Sequence, residues 1–149
     1  MPDESKPVDR RPVARLLRDV YALLEAALEA DLSPLGATPA QYGVMRRIQE
    51  QPGASSAQLA RRVQVSAQNM HVLVGTLETK GWVGRTPHPE LGRVRRVHLT
   101  EAGTELMHRC NAHAFALTDR LLVGFTDPEA DQFAALLRRA EYTLQPPQP

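Results

Sequence analysis

A chain of 149 residues, 42% hydrophobic and 23% charged, has the composition of a soluble globular protein and excludes a collagen-like or wholly disordered one. At this length folding removes roughly 68–70% of the chain's surface from water, so a sizeable core is available. The formal net charge of +1 hides an uneven division: residues 1–53 carry seven Lys and Arg against eight Asp and Glu, residues 54–100 seven against two, and residues 101–149 four against seven. A basic centre between acidic flanks concentrates polyanions locally. It favours nucleic acid over a membrane surface, because no basic amphipathic helix accompanies it. On charge alone, a solvated basic face is an equally good account.

The leucine-rich run around Tyr21 is interrupted by Glu25, Glu29 and Asp31, so nothing reaches the roughly 18 apolar residues of a membrane span. The opening M-P-D-E-S-K-P has no apolar signal-peptide core. With one cysteine and no internal disulfide possible, the expected compartment is a reducing cytoplasm.

In chain order, Val13, Leu16, Leu17, Val20, Leu23, Leu24 and Leu28 recur at the spacing of a long amphipathic helix, with Pro12 in its first turn. Thr38, Pro39 and Gln41 form a capped start to a second helix that runs to about Gln49, before Pro52 and Gly53 stop it. Ser55 with Gln58 repeats the capping-box spacing and opens a short third helix through Leu59, Ala60 and Val63. Ser66 is a fresh N-cap three residues later, so the chain turns tightly into a fourth helix with Met70, Leu73, Val74 and Leu77 inward and Gly81 at its end. Trp82–Thr86 and Val94–Leu99 read as two strands of a hairpin with a long tip. Thr100 caps a long fifth helix whose stripe runs from Leu106 through Cys110 and Leu117 to Leu122 and is closed by Phe125. The T-D-P-E at Thr126–Glu129 opens a last helix through Phe133, Leu136, Leu137 and Ala140.

The fold class expected is therefore mainly α with a small β-hairpin wing, that is, a winged helix-turn-helix whose second helix is sized for the major groove of DNA. Packing Met70, Leu73, Val74 and Leu77 inward leaves Ser66, Gln68, Asn69, Val72 and Thr76 toward solvent, with His71 at the margin. Asn and Gln bond bidentately to adenine, Val72 suits a thymine methyl, and Ser66 and Ser55, at helix starts, suit phosphates. Gln68 and Asn69 are also ordinary first-turn polar residues. Arg85, Arg93, Arg95 and Arg96 crowd one hairpin with a single acid, Glu90, as phosphate and minor-groove contact would require. Arg93, beside Gly92 at the tip, is the choice for groove insertion. Arg85 and Arg96 steady the hairpin or meet phosphate, and Arg95, in phase with Val97 and Leu99, suits a structural role.

The runs T-P-A-Q-Y-G-V-M, L-A-R-R-V-Q-V-S, L-E-T-K-G-W-V and H-L-T-E-A-G, in this order and spacing, resemble the MarR family of bacterial transcription regulators from about Pro12 to Leu144. The resemblance implies a homodimer held by N- and C-terminal dimerisation helices, a winged helix in each protomer, binding to a palindromic operator on double-stranded DNA, and often an aromatic acid as releasing ligand. The corresponding division is flexible ends at 1–11 and 145–149, dimerisation helices at 12–33 and 100–144, and a DNA-binding region at 34–99. Two positions depart from the family. Leu91 stands where the wing usually carries the acid of an Asp-x-Arg, although Arg93 is kept, and Val72 stands where the recognition helix commonly holds arginine.

A dimer also follows from area: the stripes on the first and fifth helices exceed what residues 34–99 can cover, and each leucine left wet forfeits roughly 1.5–3 kcal/mol. Two-fold pairing sets recognition helices about 34–36 Å apart, one duplex turn. A monomer folded over its own helices is the other arrangement. The resemblance puts a small-molecule effector between dimer helices and winged helix, where Tyr21, Tyr42 and Trp82 are pocket candidates and equally core candidates. No phosphate-binding glycine loop or nucleophile elbow is present, so neither an enzyme nor a cofactor is expected. Two rival functions remain: a winged helix that meets an acidic protein partner, and a metal- or redox-responsive regulator using Cys110 and His113, against which Cys110's place in an apolar stripe suits an inert core thiol.

Overall fold

The computed structural model describes residues 10–63, 65–90, 92 and 94–145. Its order is α1 (Arg11–Leu32), a 3-10 turn (Ser33–Leu35), α2 (Pro39–Glu50), α3 (Ser56–Val63), α4 (Ala67–Thr79), β1 (Val83–Pro87), β2 (Arg95–Leu99), α5 (Glu101–Leu121) and α6 (Asp127–Leu144). The fold is mainly helical with one antiparallel hairpin, as expected. Most of each flexible end assigned from sequence lies outside the described residues, but Arg11 already begins α1, with Pro12 in the first turn.

The starts of the helices obey the polar spacing. Thr38 and Gln41 form a reciprocal capping box: the Gln41 N–H donates to Thr38 Oγ1 at 3.2 Å and the Thr38 N–H to Gln41 Oε1 at 3.2 Å. Ser55 and Gln58 do the same at the head of α3, at 3.3 and 2.8 Å, and Ser66 Oγ accepts the Asn69 N–H at 3.1 Å at the head of α4. These bonds satisfy amides that the first helical turn leaves without partners. At the other end of α4, Gly81 adopts φ +74°, its N–H bonds Glu78 O at 2.9 Å, and the Trp82 N–H bonds Leu77 O at 3.0 Å. This is a Schellman motif, and only glycine takes that left-handed conformation without cost.

That motif corrects the first strand. Trp82 uses its amide to close α4 and so cannot begin the ladder, which starts at Val83 and runs to Pro87. The second strand likewise starts at Arg95, one residue later than expected. The 3-10 turn at Ser33–Leu35, ended by the left-handed Gly36, was not foreseen, because Ser-Pro-Leu carries no periodicity. Phe125 does not close the stripe of α5. It lies past that helix's end, with its ring 5.8 Å from that of Phe133 in the second turn of α6.

The described contacts form two compact units, Met1–Ala114 and Phe115–Pro149. In the first, α2, α3, α4, the hairpin and the front half of α5 enclose one core: Met45, Leu59, Met70, Leu77, Val97 and Met107 are all 0% exposed. Only the C-terminal end of α1 joins it, through Leu28 and Leu32. In the second unit Leu117 is buried, while Phe115, Leu136, Leu137 and Tyr142 are exposed.

Candidate nucleic-acid interface

The buried residues of α4, Met70, Val74 and Leu77, follow the i, i+4, i+7 spacing of one helix face. Gln68, Asn69, His71, Val72 and Thr76 therefore stand in solvent. Val72 is 60% exposed, which isolated aliphatic packing does not explain. The Thr76 hydroxyl donates to Val72 O at 3.0 Å, so toward a ligand it acts as an acceptor. Ser66 and Ser55 hold the N-termini of α4 and α3 as described, leaving their hydroxyl protons free to donate. A helix is about 10–12 Å across with its side chains, which matches a major groove about 12 Å wide.

The strand register pairs Val83 with Leu99, Arg85 with Val97 and Pro87 with Arg95. Successive side chains alternate across the ribbon, so Val83, Arg85, Arg95 and Val97 share one face, while Thr86, Arg96 and His98 share the other. Val83 and Val97 enter the core. Toward the tip the same face carries Arg85 and Arg95 past the core edge and alongside α4. There His71, Gly75, Glu78, Arg85 and Arg95 line one open groove. Arg95 is thus in phase with Val97, yet it is exposed, because the ribbon outruns the core it covers.

Within that groove Arg85 Nε lies 2.9 Å from Glu78 Oε2. The N–H does not point along this line and has no hydrogen-bond acceptor, so the contact is an ion pair in which proximity outweighs direction. Glu78 is the functional-site residue that sequence reading missed. Its signal is in the spacing, since 71, 75 and 78 are i, i+4 and i+7 on one helix face, but spacing along α4 does not say that this face meets the hairpin.

On the reverse face Arg96 lays its stem against the α2–α3 turn, where a β-carbon on Gly53 would sit 3.5 Å from Arg96 Cδ. One Arg96 Nη is 3.4 Å from His88 Nε2. Beside it the Val97 N–H donates to Ala54 O at 2.9 Å, tying the hairpin to the residue ahead of α3. Arg85 and Arg96, given one role from sequence, therefore occupy opposite faces. Arg93 and Leu91, the tip positions of the expected wing, lie outside the described residues.

None of the three pocket candidates lines the groove between α4 and the hairpin. Tyr21 is 62% exposed on α1. Tyr42 is half-buried and its hydroxyl donates to Asn111 Oδ1 at 2.9 Å; burial raises its pKa, with Arg46 opposing. Trp82 packs on the core with Lys80 Nζ 4.5 Å from its ring centre. Lys80 Nζ also donates to Gly36 O at 2.7 Å and Gln41 Oε1 at 3.2 Å. Cys110 is 1% exposed and burial pushes its thiol up, while His113 is half-buried. Among the described residues no group of three His, Cys, Asp or Glu is placed to hold a metal.

Comparison with known proteins agrees with this geometry. A family model described as "MarR family" matches residues 35–93. The HTH-type transcriptional repressor Rv2887 of Mycobacterium tuberculosis is 35% identical over 131 residues, covering 88% of this chain and 94% of the relative. Among solved structures, a MarR mutant from E. coli complexed with operator DNA superposes with a TM-score of 0.78 at 28% identity, covering 87% of this chain and 93% of that one. Rv2887 in complex with salicylic acid gives 0.71 at 35% identity, covering 87% and 96%. By its order of elements, its capped and polar recognition helix and its likeness to relatives over nearly their whole length, the chain belongs to the MarR family of helix-turn-helix transcriptional regulators, a family of regulators and not of enzymes.

Proposed function

We propose that the protein is a non-catalytic homodimeric repressor, which lays α4 of each protomer in successive major grooves of a palindromic operator and leaves it when a small aromatic acid binds. The observation that carries this reading is the division of α4 into an inward face, with Met70, Val74 and Leu77 buried and Leu73 partly so, and a solvent-facing set of Gln68, Asn69, Val72 and Thr76 beside an arginine-bearing hairpin. Asn69 and Gln68 read adenine edges, Val72 meets a thymine methyl, and Ser55, Ser66 and the arginines at 85, 93, 95 and 96 meet the backbone or minor groove. The E. coli MarR neighbour complexed with operator DNA supports the ligand class.

The dimer rests on exposed apolar surface. On α1, Val13, Leu16, Leu17 and Leu23 are 62%, 54%, 49% and 72% exposed in the single chain. Covering each recovers roughly 1.5–3 kcal/mol, and a two-fold partner does so on both copies at once. In this reading residues 12–33 and 100–144 dimerise and residues 34–99 bind DNA. The salicylic acid complex of Rv2887 supports an aromatic acid as effector, with Tyr21, Tyr42 and Trp82 as pocket residues. A ligand that binds better to protomer spacings unlike one duplex turn lowers operator affinity without touching DNA. Its place of work is the cytoplasm, where the operator is.

Selection of bound sequences from a random duplex pool tests the reading, repeated with Asn69→Ala and Arg93→Ala. The expected result is one palindrome, with an affinity that falls on adding salt by about 0.9 log units per log unit of salt for every phosphate neutralised. Binding without sequence preference at low and moderate salt, or a monomer in sedimentation at micromolar concentration, overturns it.

A further inference from the structure

The groove between α4 and the hairpin has a composition that sequence-specific base reading does not require. His71, Gly75 and Glu78 form its helix wall, and Arg85 and Arg95 its strand wall. It is open and bears three charged side chains, with free space above Gly75, where a β-carbon would meet nothing within 4 Å. In a duplex, a major groove and the next minor groove are separated by one sugar-phosphate strand. With α4 in the first and the hairpin in the second, that strand runs along the concavity between them. This step rests on the DNA-binding reading above.

We propose that this groove is a seat for one backbone phosphodiester, and that His71 takes up a proton from solvent when the phosphate arrives. Among the described residues, the charges that line the groove with His71 are Glu78 from its own helix, Arg85 from β1 and Arg95 from β2. In the free protein two guanidiniums oppose one carboxylate. Glu78 and Arg85 neutralise each other at 2.9 Å, which leaves Arg95 as the excess positive charge of the groove. An imidazolium would add to that excess. A phosphodiester brings one negative charge, cancels Arg95, and leaves room for a second donor. The imidazole is the side chain suited to this, because its charge changes between about pH 5 and 8. Protonated, it donates a charge-assisted hydrogen bond to a phosphate oxygen. Glu78 has a defined part here: by holding Arg85 it keeps the groove from carrying two unpaired guanidiniums, so that protonation of His71 adds a contact instead of crowding an already cationic site.

The proposal separates from ordinary charge attraction by its joint dependence on pH and salt. The probe is a duplex recovered from the selection above. At about pH 6 the wild-type slope of log affinity against log salt should be steeper than that of His71→Gln by up to about 0.9, one phosphate contact, and at about pH 8 the two slopes should coincide. Arg95→Gln should flatten the slope by about 0.9 at both pH values, and His108→Gln, an exposed residue on α5, should behave as wild type at both. His71 and Arg95 are exposed, so neither variant threatens folding. A His71→Gln slope that differs from wild type equally at both pH values, or at neither, overturns the proton uptake. An unchanged slope for Arg95→Gln overturns the phosphate seat. Failure of the wild type to bind any duplex overturns the DNA-binding reading itself, a result distinct from the other two.

Discussion

Replacing Gly103 with alanine puts a β-carbon where the structure has no room. An ideal Cβ there would stand 1.9 Å from the Trp82 carbonyl oxygen, 2.8 Å from its carbon and 3.2 Å from its Cα. All three are backbone atoms, so no rotamer relieves the overlap, and the α4–β1 turn must retreat from α5 by more than an ångström. That turn is fastened to the start of α5 by two hydrogen bonds, the Thr100 N–H to Trp82 O at 3.0 Å and the Thr100 hydroxyl to Gly81 O at 2.6 Å, while the same hydroxyl caps α5 by accepting the Gly103 N–H at 3.0 Å. Overpacking of this kind costs about 1–3 kcal/mol, and each bond that breaks adds about 0.5–1.5 kcal/mol. Helix propensity returns about 1 kcal/mol. The balance is a loss of about 2–4 kcal/mol. Gly43 in α2 has nothing within 4 Å of its own ideal Cβ, so Gly43→Ala should stabilise by up to about 1 kcal/mol through the same propensity. Urea unfolding at a fixed protein concentration, since oligomer stability depends on it, reads both variants on one scale. A Gly103→Ala protein as stable as Gly43→Ala would refute the close approach and with it the rigid joint between α5 and the end of α4.

Cys110, buried and with its thiol pushed up by that burial ahead of the opposing effect of Arg109, should react with iodoacetamide in native protein far more slowly than a free thiol at the same pH; rapid labelling would reverse the assignment to core. Lys80→Met keeps most of the stem over Trp82 and removes the bonds to Gly36 O and Gln41 Oε1, and should lower stability by about 1 kcal/mol, the loss being limited by exposure; no change in the unfolding midpoint would show that the ammonium contributes nothing. Glu129 accepts from the Thr126 N–H at 2.8 Å and its hydroxyl at 2.9 Å, which holds the carboxyl below its ordinary 4.5. A depressed value means that the contribution is complete above about pH 4.5 and disappears as pH falls through the folded value, so wild type and Glu129→Gln should differ at neutral pH and converge in acid. A gap that persists at the acid end would contradict the cap.

The helices were legible because their start signals are local. Thr38 with Gln41, Ser55 with Gln58, and Thr126 with Glu129 each place acceptor and donor three residues apart, and a capping box needs no tertiary information. The buried stripe of α4 was equally local, as Met70, Val74 and Leu77 fix their face by spacing. What could not be read was which of two surfaces each face meets. Alternation along β2 separates Arg95 from Arg96 but does not say that one side looks onto α4 and the other onto Gly53. Nor does it say where the core edge ends, and that edge decides whether Arg95 is packed like Val97 or free like Val72. The first strand was misjudged by one residue for a related reason: Trp82 has strand propensity, but its amide is claimed by Leu77 O five residues back.

The same limit applies to charge. Between residues 54 and 100 the sequence offers seven cations, and counting treats them as interchangeable. The structure does not. Lys80 is bound to Gly36 O and Gln41 Oε1 and sits over Trp82, on the α2 side of the recognition helix and away from its polar face. Arg85 is matched by Glu78, and Arg96 lies along Gly53 on the reverse of the hairpin. Each cation so committed must break a contact before it meets a phosphate, or contributes only through the field at longer range, where salt screens it within about 10 Å. Arg61 and Arg95, both exposed, carry no such commitment. Among the described residues the charge available to DNA is therefore smaller than the central excess suggests, and of these two Arg95 lines the groove between α4 and the hairpin, while Arg61 lies by the α2–α3 turn. The α4 segment itself carries no lysine or arginine, so its exposed face relies on base edges, through Gln68, Asn69 and the exposed Val72.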